Sequence, residues 1–108
     1  MIEWDIDAGV WQVPDGAWFF ITVPEDVSDE IAEVTEGYAG GFGSVRVEVT
    51  CGTTTWRTSL FPSKGVGAYV LPVKKSVRDS ERLGVGTTAR FTLRLLDPRL
   101  RMSPTASR

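Results

Sequence analysis

Histidine is absent from the 108 residues, and cysteine occurs once, as Cys51. Without histidine, the usual base that activates a serine or cysteine nucleophile is missing, and no histidine-cysteine cluster can hold zinc. A lone cysteine forms no internal disulfide. No run approaches the ~20 apolar residues that cross a bilayer, and MIEWDIDAG lacks the basic flank and unbroken apolar core of a signal peptide. These absences predict a cytoplasmic protein with no membrane segment, no metal and no cofactor. Positive charge is missing from residues 1 to 43, which carry ten acids and no base. All twelve bases lie in residues 44 to 108 with four acids, so the halves carry −10 and +8 within a net charge of −2. Such a partition reads as self-complementarity within or between chains, or as a basic surface for an anionic partner.

Apolar residues make up 42% of the chain and eleven aromatics include Trp4, Trp11, Trp18 and Trp56, enough for one core in a domain of this length. The expected organisation is a single domain over residues 1–96 and a flexible tail over 97–108, where DPRLRMSPTASR is rich in arginine, proline and serine. IEWDID alternates with the period of a half-buried strand. Val13-Pro14-Asp15-Gly16 is a turn in which proline presets φ and glycine takes the reversal, and AWFFITV follows as a second strand. Apolar residues on both faces of that strand mark it as central or as covered by a subunit. Thr22-Val23-Pro24-Glu25 has capping-box spacing, opening an acidic helix that runs to Gly37, and YAGGFG is a glycine-rich loop.

SVRVEVTC alternates strictly, with Val45, Val47 and Val49 inward. A two-residue Gly52-Thr53 turn would pair Val49 with Trp56, Val47 with Thr58 and Val45 with Leu60, and set Glu48 opposite Arg57 and Arg46 opposite Ser59; a four-residue loop also keeps the alternation. AYVLP is a further strand, Lys74 to Leu83 a second short helix stopped at Gly84, and TARFTLRLL the last strand. The order strand-proline-helix-glycine-strand occurs twice, as a small barrel with approximate internal twofold symmetry would show. The fold class is therefore mainly β: a small closed or split β-barrel of about six strands with two short helices.

Pro62-Ser63-Lys64-Gly65 lacks the glycine spacing and following helix of a phosphate loop and reads as a turn. Ser59, Cys51 and Lys64 are nucleophiles without a base, and Ser59 and Lys64 lie on opposite sides of Phe61-Pro62. The acids of residues 25 to 36 read as a solvated helix face. Lys74 and Lys75 stand out, because they open a helix where its dipole disfavours cations by roughly 0.3–1 kcal/mol each. Such rule-breaking is expected where a partner compensates it. That partner is either the acidic helix, within one chain or across a homodimer, or an external anion. Lys74, Lys75 and Arg78, with Arg57, form the candidate anion site; no catalytic residue is assigned.

GFGSVRVEVTCGTTTWRTSLFP, followed by AYVLPVKKSVRDSERLGVG and the final alternating strand, resembles the domain of unknown function 1905 family over nearly all of residues 2 to 96. The resemblance implies a small β-barrel related in shape to AbrB-like split barrels and implies no settled activity. Gly86-Thr87 stands where family members often have Gly-Asp. Some members continue into a helical module linked with bacteriocin resistance, a role not carried over to these residues. The functional reading is a binding or protein-interaction module, without catalysis, for a small anionic ligand or a protein partner. Its alternatives are nucleic-acid binding through residues 44–108 and a small enzyme with a site at the barrel mouth.

Overall fold

The structure is a computed structural model that describes residues 2–36 and 43–96. Most of YAGGFG and the 97–108 tail lie outside the described residues. The chain is mainly β, a curled antiparallel sheet with two short helices. The strands are β1 (Glu3–Gln12), β2 (Phe19–Thr22), β3 (Val45–Cys51), β4 (Thr54–Ser63), β5 (Ala68–Pro72) and β6 (Thr88–Leu95). Helix α1 (Glu25–Val34) follows β2, and α2 (Lys75–Glu81) follows β5.

The described strands pair in the order β1-β2-β5-β4-β3-β6, with β6 returning to β1. Two ten-residue strands make this possible by changing neighbours along their length. β1 pairs with β6 from Glu3 to Gly9 and with β2 from Val10 to Gln12. β4 pairs with β3 from Thr54 to Leu60 and with β5 from Phe61 to Ser63. Alternation puts Ile6, Val10, Ile21, Val47, Val49, Leu60, Leu71, Phe91 and Leu93 into one buried core, to which α1 adds Ile31 and α2 adds Val77. At roughly 1.5–3 kcal/mol per fully buried large aliphatic or aromatic side chain, this core is the main stabilising term.

The β3–β4 hairpin has the register that the valine alternation predicts: Val45 opposite Leu60, Val47 opposite Thr58 and Val49 opposite Trp56. Cys51 pairs with Thr54, leaving Gly52-Thr53 as the two-residue turn. Gly52 takes φ +59°, and Glu81 of α2 packs against it. Glu81 also accepts a hydrogen bond from Thr54 Oγ1 at 2.5 Å, tying the turn to α2.

Three local expectations are corrected. The capping box at Thr22 does not form: the residue before α1 is Pro24 and no side chain caps it. Thr22 belongs to β2, and its hydroxyl accepts from Trp11 Nε1 at 2.9 Å instead. The reversal at 13–16 is taken by Asp15, φ +59°, with Gly16 N–H donating to Val13 O at 3.0 Å; aspartate tolerates this conformation better than most residues. Helix α2 ends before Gly84, because Arg82 turns left-handed at φ +57°.

Candidate functional site

The junction from β5 into α2 is held against the start of β2. Val73 N–H donates to Phe19 O at 2.8 Å, and Val73 O accepts from Arg78 Nε at 3.1 Å. That second bond bends the Arg78 side chain back over β2, where its guanidinium carbon sits 3.7 Å from the centroid of the Phe19 ring. Cation–π stacking of this kind is worth about 0.5–2 kcal/mol, depending on desolvation. Arg78 is thus positioned by a carbonyl and an aromatic face, with the rest of its guanidinium left for other acceptors.

Arg78 lines a concavity of about 500 Å³ between β2, β4 and α2. Its apolar walls are Trp18, Phe19, Trp56, Pro72 and Val73; its cations are Arg57, Lys74, Lys75 and Arg78, and no lining residue is acidic. All four residues of the candidate anion site therefore meet at one place, from two elements far apart in sequence: Arg57 on β4 and the others at the start of α2. Sequence reasoning missed the aromatic walls. Trp56, paired with inward Val49, reads as core, which it also joins at 7% exposure, while Trp18 reads as strand filling yet stands 65% exposed.

Two of the cations already have carboxylate neighbours. Arg57 Nε lies 3.4 Å from Glu48 Oε2, across the β3–β4 ladder as the register requires. Lys75 Nζ lies 2.7 Å from Asp79, one turn along α2. Neither Lys74, Lys75 nor Arg78 forms an ion pair with an acid of residues 25 to 36 among the described residues, so the offset of helix by helix within one chain is not made by direct contact. The sequence-level nucleophiles do not assemble either. Ser59 accepts from Arg46 at 3.4 Å, and Cys51 is buried, its thiol pushed up by burial and secondarily by Glu81. No group of carboxylates and cysteine suited to a metal ion occurs among the described residues.

Glu48 is the hinge of the ionic surface beside the concavity. It receives Arg94 at 2.5 Å from β6 as well as Arg57. Its carboxyl is held below the usual 4.5, first by the Arg94 hydrogen bond and then by Arg57. Asp7, bonded to Arg90, and Asp79, bonded to Lys75, are lowered in the same way. A carboxylate depressed in the folded state contributes stability above its unfolded pKa and loses it as pH falls through its folded pKa. Stability should therefore drop on acidification below about pH 4.5, and Glu48→Gln should flatten that limb while lowering stability at neutral pH. Urea midpoints measured from neutral pH into the acid range check this; an unchanged acid limb in Glu48→Gln would show the pairing to be silent.

A second, shallower concavity of about 340 Å³ adjoins the first, sharing Trp18 and Pro72 and adding Val13, Phe20, Phe61 and Val70. It carries no charged residue.

A family profile described as a domain of unknown function (DUF1905) matches residues 7–93. The chain belongs to that family. The match runs from the middle of β1 almost to the end of β6, so every residue lining the two concavities lies inside the DUF1905 domain. Comparison with curated proteins gives no match. No described helix of this DUF1905 domain is long and apolar enough to cross a membrane.

Proposed function

We propose that this DUF1905 domain is a binding module, not an enzyme, and that its concavity takes a small organic anion with a flat apolar body. The observation that carries the reading is the lining itself: three aromatic rings and four cations around one cavity, with no acid among them. Trp18, Phe19 and Trp56 offer apolar area and ring faces; Arg57, Lys74, Lys75 and Arg78 offer donors to a carboxylate, sulfonate or phosphate. About 500 Å³ is within the usual range for small-ligand sites.

The site is best understood as one half of a closed six-stranded barrel built as an internal twofold repeat. Exchanging β1, β2, α1 and β3 with β4, β5, α2 and β6 leaves the whole set of strand neighbours unchanged. A shift of fifty positions carries the Trp11–Phe20 and Gln12–Phe19 pairs onto Phe61–Val70 and Pro62–Tyr69. The same shift carries Val23 N–H on Tyr69 O onto Val73 N–H on Phe19 O. Under this correspondence Arg57, Lys74, Lys75 and Arg78 stand where the first half has Asp7, Pro24, Glu25 and Ser28. Ser28 Oγ donates to Val23 O, as Arg78 Nε does to Val73 O. Positive charge is thus gathered on one of two related places, the one that lines the concavity of about 500 Å³, which supports a ligand role over general surface charge. Nucleic-acid binding through the basic half is less well supported, since Arg90 and Arg94, which lie outside the concavity, are taken up in ion pairs.

Titration with 2-naphthoate, neutral 2-naphthamide and inorganic phosphate, followed by tryptophan fluorescence and amide NMR, tests the proposal. Naphthoate should bind saturably, at least about tenfold more tightly than either of the others, and Arg78→Gln should lose roughly tenfold in affinity. Equal binding of the acid and the amide, or shifts that avoid Trp18 and Trp56, would overturn it.

A further inference from the structure

The outside of the sheet is divided. On β3 and β6 the outward residues are polar and linked in pairs, as in Glu48 with Arg94 and Thr50 with Thr55 on the neighbouring β4. Where the ends of β1 and β4 pair with β2 and β5, the outward face changes character: Trp11, Phe20, Thr22, Pro72, Val70 and Phe61 alternate with inward Val10, Ile21, Leu71 and Leu60, and only Thr22 among them is polar. Trp11 lies opposite Phe20 and Phe20 opposite Pro72 in one row; Phe61 lies opposite Val70, and Val70 opposite Thr22, in the next. Phe20, Pro72, Val70 and Phe61 meet around the shared second concavity and join the rows into one face. Trp18 extends it, stacking on Phe20 with ring centroids 6.2 Å apart. Trp18 and Phe61, 65% and 44% exposed, stand at its surface. Single exposed hydrophobic residues need no explanation, whereas a continuous aromatic face on an otherwise polar sheet marks an interaction surface.

Charge at the two ends of this face specifies the occupant. β2 and β5 are antiparallel neighbours, and each runs directly into a helix. The β5 end therefore carries Lys74 and Lys75, with Asp15 in the turn that leads into β2, and the opposite end, where β2 leaves, carries Glu25 and Asp26, with Lys64 in the turn that leads into β5; all six are exposed. A face that is apolar in the middle, net basic at one end and net acidic at the other is complementary to itself. A twofold axis lying in the interface and running across the strands lays the basic end of each copy on the acidic end of the other, with the aromatic rows meeting between them.

We infer that the outer face of β2 and β5 is an interface between two copies of this chain, closed at each end by Lys74 and Lys75 of one copy against Glu25 and Asp26 of the other. This goes beyond the ligand proposal; Trp18, Lys74 and Lys75 line the basic concavity as well, whereas Phe61, Glu25 and Asp26 do not, so variants at those three positions test the interface apart from the ligand site. Within the described chain Asp7 with Arg90 already joins the acidic and basic halves; the interface adds Lys74 and Lys75 with Glu25 and Asp26.

Sedimentation velocity of the full chain over a concentration series, at low and high salt, is the decisive measurement. A reversible dimer is expected, weakened roughly tenfold or more by high salt. Phe61→Glu should give a monomer with an unchanged far-UV spectrum. Lys74→Glu with Lys75→Glu should abolish self-association by leaving both ends acidic, and Glu25→Lys with Asp26→Lys by leaving both basic. Mixing those two variants should restore a dimer containing one of each, as should all four changes in one chain. These four positions are exposed, so the charge arm stands even if Phe61→Glu fails to fold. A parent that stays monomeric up to ~0.5 mM, weaker than the usual range for a specific dimer, overturns the inference and leaves the face to another partner. Dimers that survive the charge variants, or variants whose mixture stays monomeric, overturn it as well.

Discussion

Trp56→Ala will cost about 3–5 kcal/mol of stability and remove a wall of the basic concavity in the same step. Trp56 sits opposite Val49 in the β3–β4 ladder, inside the common core and 7% exposed. Truncation leaves both the lost transfer energy and a void, since α2 and the strands around it can collapse only partly. Against a total of about 5–15 kcal/mol for a domain, the loss is a large fraction of all stability. The melting midpoint should fall by on the order of 15–25 °C, followed by far-UV circular dichroism. Trp56→Phe should lose much less and keep an aromatic wall, separating packing from ligand contact. A melting curve of Trp56→Ala that matches the parent would mean that β4 presents the opposite face to the core.

Ser28→Ala should be the next most damaging of the changes considered, at about 1–3 kcal/mol, although it removes one oxygen atom. Ser28 is buried in α1, donates to Val23 O at 3.1 Å and accepts from Tyr69 N–H at 3.1 Å. The N–H and C=O of a strand residue point the same way, and Tyr69 O is already bonded to Val23 N–H on that side. Alanine therefore leaves the Tyr69 N–H without its acceptor in a buried position, and a lost partner there costs the desolvation of the donor. Amide exchange at Tyr69 should accelerate in Ser28→Ala, together with a lower urea midpoint, while Ser28→Thr should hold the bond if its methyl is accommodated. Unchanged exchange at Tyr69 would show that the serine is only filling space.

The hairpin from Val45 to Leu60 was legible because its information is local: a period of two, a glycine able to take positive φ, and one register that puts every valine on the same side. The capping box at Thr22 misled for a tertiary reason. Its spacing is right, but the hydroxyl is engaged across the sheet by Trp11, which lies eleven residues away in sequence. Lys74 and Lys75 could be singled out because they break a local rule, and Arg78 was grouped with them as the next cation along α2. That Arg57 joins them depends on how β4 passes α2, and the family resemblance carried the fold without carrying that contact. The aromatic walls were hidden for a similar reason: composition shows how many tryptophans there are, and only the bend of β4 from β3 to β5 decides which of them faces a cavity. The ring of strand neighbours likewise follows from two strands changing partners part-way, a switch with no signature in alternation alone.

The pairing of β1 with β6 bears on how the chain acquires its structure. Glu3 lies opposite Arg94 and Gly9 opposite Thr88, so β1 waits for β6 to be made. Closing a loop of that length is entropically costly and is rewarded only when most of the sheet is in place, which favours slow, all-or-none folding in milliseconds to seconds. During synthesis β1 and β3 both hold an open edge for β6 until Thr88 to Leu95 leave the exit tunnel. A nascent chain released before that point would present two unpaired strand edges, the kind of surface on which chains join one another, so premature termination upstream of β6 should yield aggregate and degradation products with no folded fragment.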